Sequence, residues 1–100
     1  MRVIARGTLR DFWESPGKQD AEEPLEAWFA HAKAAEWANW GDVKADYPSA
    51  DWVGNDRVVF NIGGNKFRLV VKMEFGKQMI FIRFIGTHKE YDEIKDITTI

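Results

Sequence analysis

Residues 57–85 read RVVFNIGGNKFRLVVKMEFGKQMIFIRFI, three runs rich in β-branched and aromatic residues, broken at Gly63-Gly64-Asn65 and at Gly76-Lys77. Glycine-rich breaks between such runs are hairpin chemistry. They predict strands over Arg57–Ile62, Phe67–Phe75 and Met79–Ile85 in an antiparallel meander. Side chains alternate along a strand with period two, so a two-residue loop in each hairpin fixes which of them share a face. On that basis Val58, Phe60, Ile62, Phe67, Leu69, Val71, Met73, Ile80, Ile82 and Phe84 point one way. The opposite face carries Arg57, Val59, Asn61, Arg68, Val70, Lys72, Met79, Phe81, Arg83 and Ile85, with Arg83 placed beside Val70 and Arg68 one pair further along.

The apolar face must be covered, and the segment before it supplies the cover. Arg2 to Gly7 reads as a short strand. Thr8 followed by Asp11 resembles a helix start, with Leu9, Phe12 and Trp13 as its apolar stripe, and this helix stops near Ser15-Pro16-Gly17. A second helix begins around Asp20, with Pro24 in its first turn and a stripe of Leu25, Trp28, Phe29 and Ala32 at i, i+3, i+4 and i+7. A further short helix fits Asp42–Tyr47, ending before Pro48. The expected fold is α+β: one domain over residues 1–100, a mainly antiparallel sheet, two N-terminal helices on one face and a short C-terminal helix.

Composition bounds the chemistry. One hundred residues, 45% apolar and 30% charged, suit one globular core. The chain has no cysteine, which excludes disulfides, thiolate metal sites and cysteine nucleophiles. The opening MRVIARGTLRDFWE lacks an apolar stretch of signal-peptide length and no later run approaches a membrane span, so a cytoplasmic protein without membrane association is the expectation. His31 and His88 have no metal-ligand spacing, and neither a metal nor another cofactor is expected. His31 is read as complementing the dipole at its helix end, and Trp13, Trp28, Trp37, Trp40 and Trp52 as packing residues. Between Arg57 and Lys89 seven cations face Glu74 alone, a net of +6, which leaves −8 for the rest of a chain whose total is −2.

That division leaves two readings of the second sheet face. One is a solvated face; the other is a surface for RNA, whose backbone wants cations and whose bases want apolar and aromatic contacts. Directly after the last strand, Thr87 and Glu90 stand at capping-box spacing and predict a helix start, with outward backbone N–H groups and His88 in the first turn. There His88, Tyr91 and Asp92 share a face at i, i+3 and i+4. They are either a capped helix with a surface His and a packed Tyr, or a proton-transfer group beside the Arg83 strand.

Val59–Val71, with its Val-Phe-Asn-Ile-Gly-Gly-Asn and Arg-Leu-Val-Val, and Thr-His-Lys-Glu-Tyr-Asp at Thr87–Asp92 resemble the two signature stretches of the HigB toxins. These are RelE-like messenger-RNA interferases of type II toxin–antitoxin systems. The opening Ile-Ala-Arg-Gly-Thr-Leu-Arg-Asp-Phe-Trp and the Tyr-Pro-Ser-Ala-Asp region match as well. The resemblance implies a RelE-like fold, a metal-independent endoribonuclease cleaving mRNA on the translating ribosome, and neutralisation by a HigA-type helix-turn-helix antitoxin. A sequence pI near 5.6 departs from the basic balance common in RelE-like toxins. Cleavage of this kind is attack of a 2′-OH on the adjacent phosphate, which needs proton transfer and cations. Arg68 and Arg83 are the expected charge stabilisers, His88 and Tyr91 the expected proton-transfer and orienting groups. Asp92 steers the imidazole, and Arg57, Lys66 and Lys72 are expected RNA contacts. A non-catalytic RNA- or protein-binding module with the same sheet face, and a toxin that has lost activity, are the rival readings.

Overall fold

In the computed structural model, which describes residues 1–100, the chain runs β1 (Arg2–Ile4), α1 (Gly7–Trp13), α2 (Glu22–Ala34), α3 (Trp40–Asp46), β2 (Asp51–Gly54), β3 (Arg57–Ile62), β4 (Phe67–Glu74), β5 (Met79–Thr87) and α4 (His88–Asp92). A 3-10 turn, Gln19–Ala21, leads into α2, and a second, Phe75–Lys77, joins β4 to β5. The strands form one sheet in the order β1-β5-β4-β3-β2. The expected meander β3-β4-β5 is its centre. It is extended by two edges: β2 antiparallel to β3, and β1 parallel to β5, so the sheet is mixed.

Both hairpin loops have four residues rather than two, since Ile62 pairs with Phe67 and Glu74 with Met79. An even loop length preserves the face assignment, and the first loop turns through left-handed Gly63 and Gly64, a conformation other residues adopt at a cost. Val58, Phe60, Ile62, Phe67, Leu69, Val71, Met73, Ile80 and Ile82 all join the core cluster beneath Leu9, Leu25, Trp28 and Ala32.

The helix starts differ from expectation. α1 begins at Gly7 with Arg6 at its N-cap and no side-chain cap, so the Thr8 start is displaced by one residue. α3 begins at Trp40, two residues early, because Asn39 caps it by accepting from Asp42 N–H at 3.1 Å. The Met1 ammonium donates to the Ala32 and Lys33 carbonyls at 3.1 and 3.0 Å, fastening β1 to the end of α2.

Four of the five tryptophans pack in or against the core. Trp52, on the edge strand, is 39% exposed and lies against Trp40 with ring centroids 5.8 Å apart. Phe60 is the aromatic hub, within 5.4 Å of Trp28, 5.1 Å of Tyr47 and 6.5 Å of Trp37. His31, at the end of α2, bonds Asp46 at 2.8 Å and stands edge-on to Tyr47, so it clamps α2 to α3 in addition to facing the helix dipole. Phe60→Ala should therefore cost about 3–5 kcal/mol in urea denaturation, whereas Trp52→Ala should cost about 1 kcal/mol. Equal losses would contradict this division between hub and edge.

Candidate functional site

The capping box forms as the Thr87–Glu90 spacing requires. Thr87 Oγ1 accepts from Glu90 N–H at 3.1 Å and Glu90 Oε1 accepts from Thr87 N–H at 2.8 Å. The Thr87 backbone bond, chief among several causes, holds the Glu90 carboxyl below its ordinary range. His88 N–H reaches the Lys66 carbonyl at 3.3 Å and ties α4 to the β3–β4 loop. With the His88 and Glu90 N–H groups both engaged, the start of α4 is less open to an anion than its capping box suggested.

What α4 presents is its side chains. His88 Nδ1 lies 2.9 Å from Asp92 Oδ2, one helical turn on. A carboxylate can only accept, so Nδ1 is the donor in this bond and Nε2 points away from Asp92. The two side chains are 46% and 58% exposed. Tyr91 is half-buried. Burial raises its phenol above the usual value; the Arg68 charge opposes the rise, and Asp51 and Asp92 add to it.

The register of β5 changes beside α4. Val71 pairs with Ile82, but Val70 pairs with Phe84, which leaves Arg83 as an extra residue in a β-bulge. Two expectations are corrected here. Phe84 leaves the apolar face for the second face, and Ile85 moves from the second face to pack against the core. Arg83 is unpaired rather than beside Val70, and Arg68 stands opposite Gly86. The bulge thus directs Arg83 and Phe84, consecutive in sequence, to one face. The Phe84 ring lies over Gly86, where a Cβ would fall 2.5 Å from its Cζ. Arg83 is exposed and joins no ion pair.

The second face is neither fully solvated nor fully open. Val59 and Val70 on it are 3% and 0% exposed. α4 packs on β4 and β5, and the tail beyond it crosses to β2 and β3. There Arg57 Nη2 donates to the Ile100 carbonyl at 2.7 Å and Asn55 Nδ2 to the Thr98 carbonyl at 2.7 Å. Arg57 is 7% exposed, its Nη1 bonds the Asn55 carbonyl, and it is structural in this setting. Lys66 stands at the rim of the site, its ammonium paired with Asp20. Arg68, 9% exposed, donates to Asn65 Oδ1 at 2.7 Å and to the Asn65 carbonyl at 3.2 Å. It holds the hairpin loop and supplies charge near Tyr91. Lys72 is half-buried and paired with Glu74 at 3.5 Å. The structure therefore gathers His88, Tyr91 and Asp92 on α4 with the Arg68 charge near Tyr91, places Arg83 within β5 five residues before His88, and leaves Arg57 out. No three His, Asp or Glu side chains gather as a metal-ligand group, and no helix is long and apolar enough to cross a membrane.

The fold and this face define a small α+β protein with a titratable cluster at the end of a bulged strand. Residues 21–94 match the family described as HigB_toxin, the RelE-like toxic component of a toxin–antitoxin system, and the chain belongs to that family. It is similar to the mRNA interferase toxin HigB of Escherichia coli (strain K12) and to the mRNA interferase HigB of Shigella flexneri, 44% identical to each over 52 residues. Those residues are 50% of this chain and 50% of each relative, so the match spans about half the length of these curated relatives.

The state of Tyr91 is directly measurable. A phenol favoured in its neutral form contributes stability that is complete below its unfolded value near ~10 and is lost as pH rises through the higher folded value. In Tyr47→Phe the remaining phenol should titrate above that value by ultraviolet absorbance. Adding Arg68→Gln should raise it further, because Arg68 is the charge that opposes the rise; a fall would contradict the placement of Arg68 beside Tyr91.

Proposed function

We propose that this chain is the toxin of a toxin–antitoxin pair and a metal-independent endoribonuclease that cleaves messenger RNA. The observation that carries the reading is the His88–Asp92 bond beside the bulged Arg83 strand, within the stretch matched by the HigB family. The names of the relatives agree with it.

The groups divide the work by chemistry. The Asp92 carboxylate fixes the Nδ1–H form of His88, so Nε2 takes the proton from the attacking 2′-OH. Arg83, exposed and without a carboxylate partner, grips the phosphate as charge develops on it. The protonated Tyr91 phenol is the donor for the leaving 5′-oxygen, and Arg68 sets its electrostatics. Lys66 and Lys72, each exchanging a surface ion pair for phosphate, contribute RNA affinity. The natural partner is a HigA-type helix-turn-helix antitoxin, the substrate is mRNA on the ribosome, and the site of action is the cytoplasm.

Cleavage of a substrate that does not itself require magnesium should survive EDTA and leave 2′,3′-cyclic phosphate or 3′-phosphate ends. His88→Ala should stay folded and slow cleavage by about 10²–10⁴-fold. Wild-type cleavage by the folded variant would remove His88 from the mechanism. RNA binding without cleavage by the unaltered chain would favour the binding module instead. Growth arrest on expression, relieved by coexpression of an adjacent helix-turn-helix gene, tests the pairing.

A further inference from the structure

We propose that the outer half of the second sheet face, formed by β1 and β5, is a track for single-stranded RNA running away from His88, with Phe81 as its base-stacking platform and Arg2 as a phosphate contact. The proposal rests on the functional reading above and extends it to residues outside the catalytic cluster. Arg2 lies outside the matched residues 21–94.

The parallel register of β1 makes the track. Arg2 pairs with Met79, Val3 with Ile80 and Ile4 with Phe81. Ile80 is fully buried and Val3 packs against the core, so Arg2, Ile4, Met79 and Phe81 face the other way. Lys72, opposite Phe81 on β4, continues the same row. The helices α1 and α2 lie on the opposite face, α4 packs on β4 and β5 where His88 N–H meets the Lys66 carbonyl, and the tail reaches the side nearer β2 and β3. Phe81 is partly exposed on this face.

Charge selects the ligand. Arg10 pairs with Glu14, Lys66 with Asp20, and both Lys72 and Lys77 with Glu74, while Arg6 sits over the Phe29 ring. Arg2 and Arg83 are exposed and have no such partner. Neither β1 nor β5 contains an acidic residue. Two guanidinium groups without carboxylate partners flank a flat, partly exposed ring, and six residue steps along β5, about 20 Å, lead from Phe81 to Thr87. A chain of phosphates with stacked bases fits that arrangement, and it is read without sequence preference because every base has a π-face. An apolar peptide would leave both guanidiniums unanswered.

The test is fluorescence anisotropy of the full chain with a labelled 2′-O-methyl oligonucleotide, which has no free 2′-OH and is not cleaved, and with its abasic counterpart. Phe81→Leu should weaken binding of the base-bearing strand by about 10-fold and leave the abasic strand unaffected. Arg2→Ala should lower the salt slope by about 0.7, one phosphate on a single strand. Arg2 is exposed, so Arg2→Glu, which should weaken binding more than Arg2→Ala, keeps the test decisive if the Phe81 variant does not fold. Equal losses on both strands for Phe81→Leu would overturn the stacking role. Wild-type affinity and salt slope in both variants, with affinity lost in Arg83→Ala, would overturn the track and leave the functional reading standing. A full chain that binds neither strand would overturn the track, while the functional reading stands or falls on the cleavage and growth-arrest tests above.

Discussion

One extra residue in β5 governs everything C-terminal to it. Between Val71–Ile82 and Val70–Phe84 the pairing of β4 with β5 absorbs Arg83 without a partner, and the strand beyond changes which side faces the core. Ile85 closes the apolar layer, Phe84 covers Gly86 on the other side, and Thr87 arrives where its hydroxyl caps α4. A side chain at position 86 would displace the Phe84 ring, so the glycine and the bulge are one device. Bulges re-aim side chains in this way, and here the re-aimed side chain is an unpaired arginine on the strand that leads into the His–Asp pair of α4.

Net charge says less about this protein than the disposition of its cations. A total of −2 conceals a basic half, yet most of the bases there are already answered within the fold. Arg57 holds the tail, Arg68 the hairpin loop, and Lys66 and Lys72 have carboxylate partners. What remains for an anion is Arg83 on β5 and Lys89 on α4, with Arg2 of β1 joining them in charge though not in sequence. A low sequence pI is compatible with binding RNA because the field at a face depends on local charges, with salt screening the distant acids.

Features set by local rules were legible in the sequence. Period-two alternation placed the apolar face as far as Ile82, and the Thr87–Glu90 spacing placed α4. The bulge was hidden because Ile82-Arg83-Phe84-Ile85 continues the alternation of an unbroken strand; Gly86 was its one local trace. β2 was missed because Asp51-Trp52-Val53-Gly54 has neither clear alternation nor a hairpin signal ahead of it. The parallel docking of β1 is a long-range pairing, so the position of Arg2 beside Met79 was invisible although its strand was anticipated. Arg57 failed as a surface cation for the same kind of reason: its partner, the Ile100 carbonyl, is 43 residues away. His88, Tyr91 and Asp92 were found together because a helix brings i, i+3 and i+4 onto one face.

The central claim is that the register break in β5 builds the site, and cross-strand nuclear Overhauser contacts between β4 and β5 test it most directly. The account predicts backbone proton contacts joining Val70 to Phe84 and Leu69 to Ile85, with none from Arg83 into β4. An unbroken ladder with Val70 opposite Arg83 and Leu69 opposite Phe84 would contradict it.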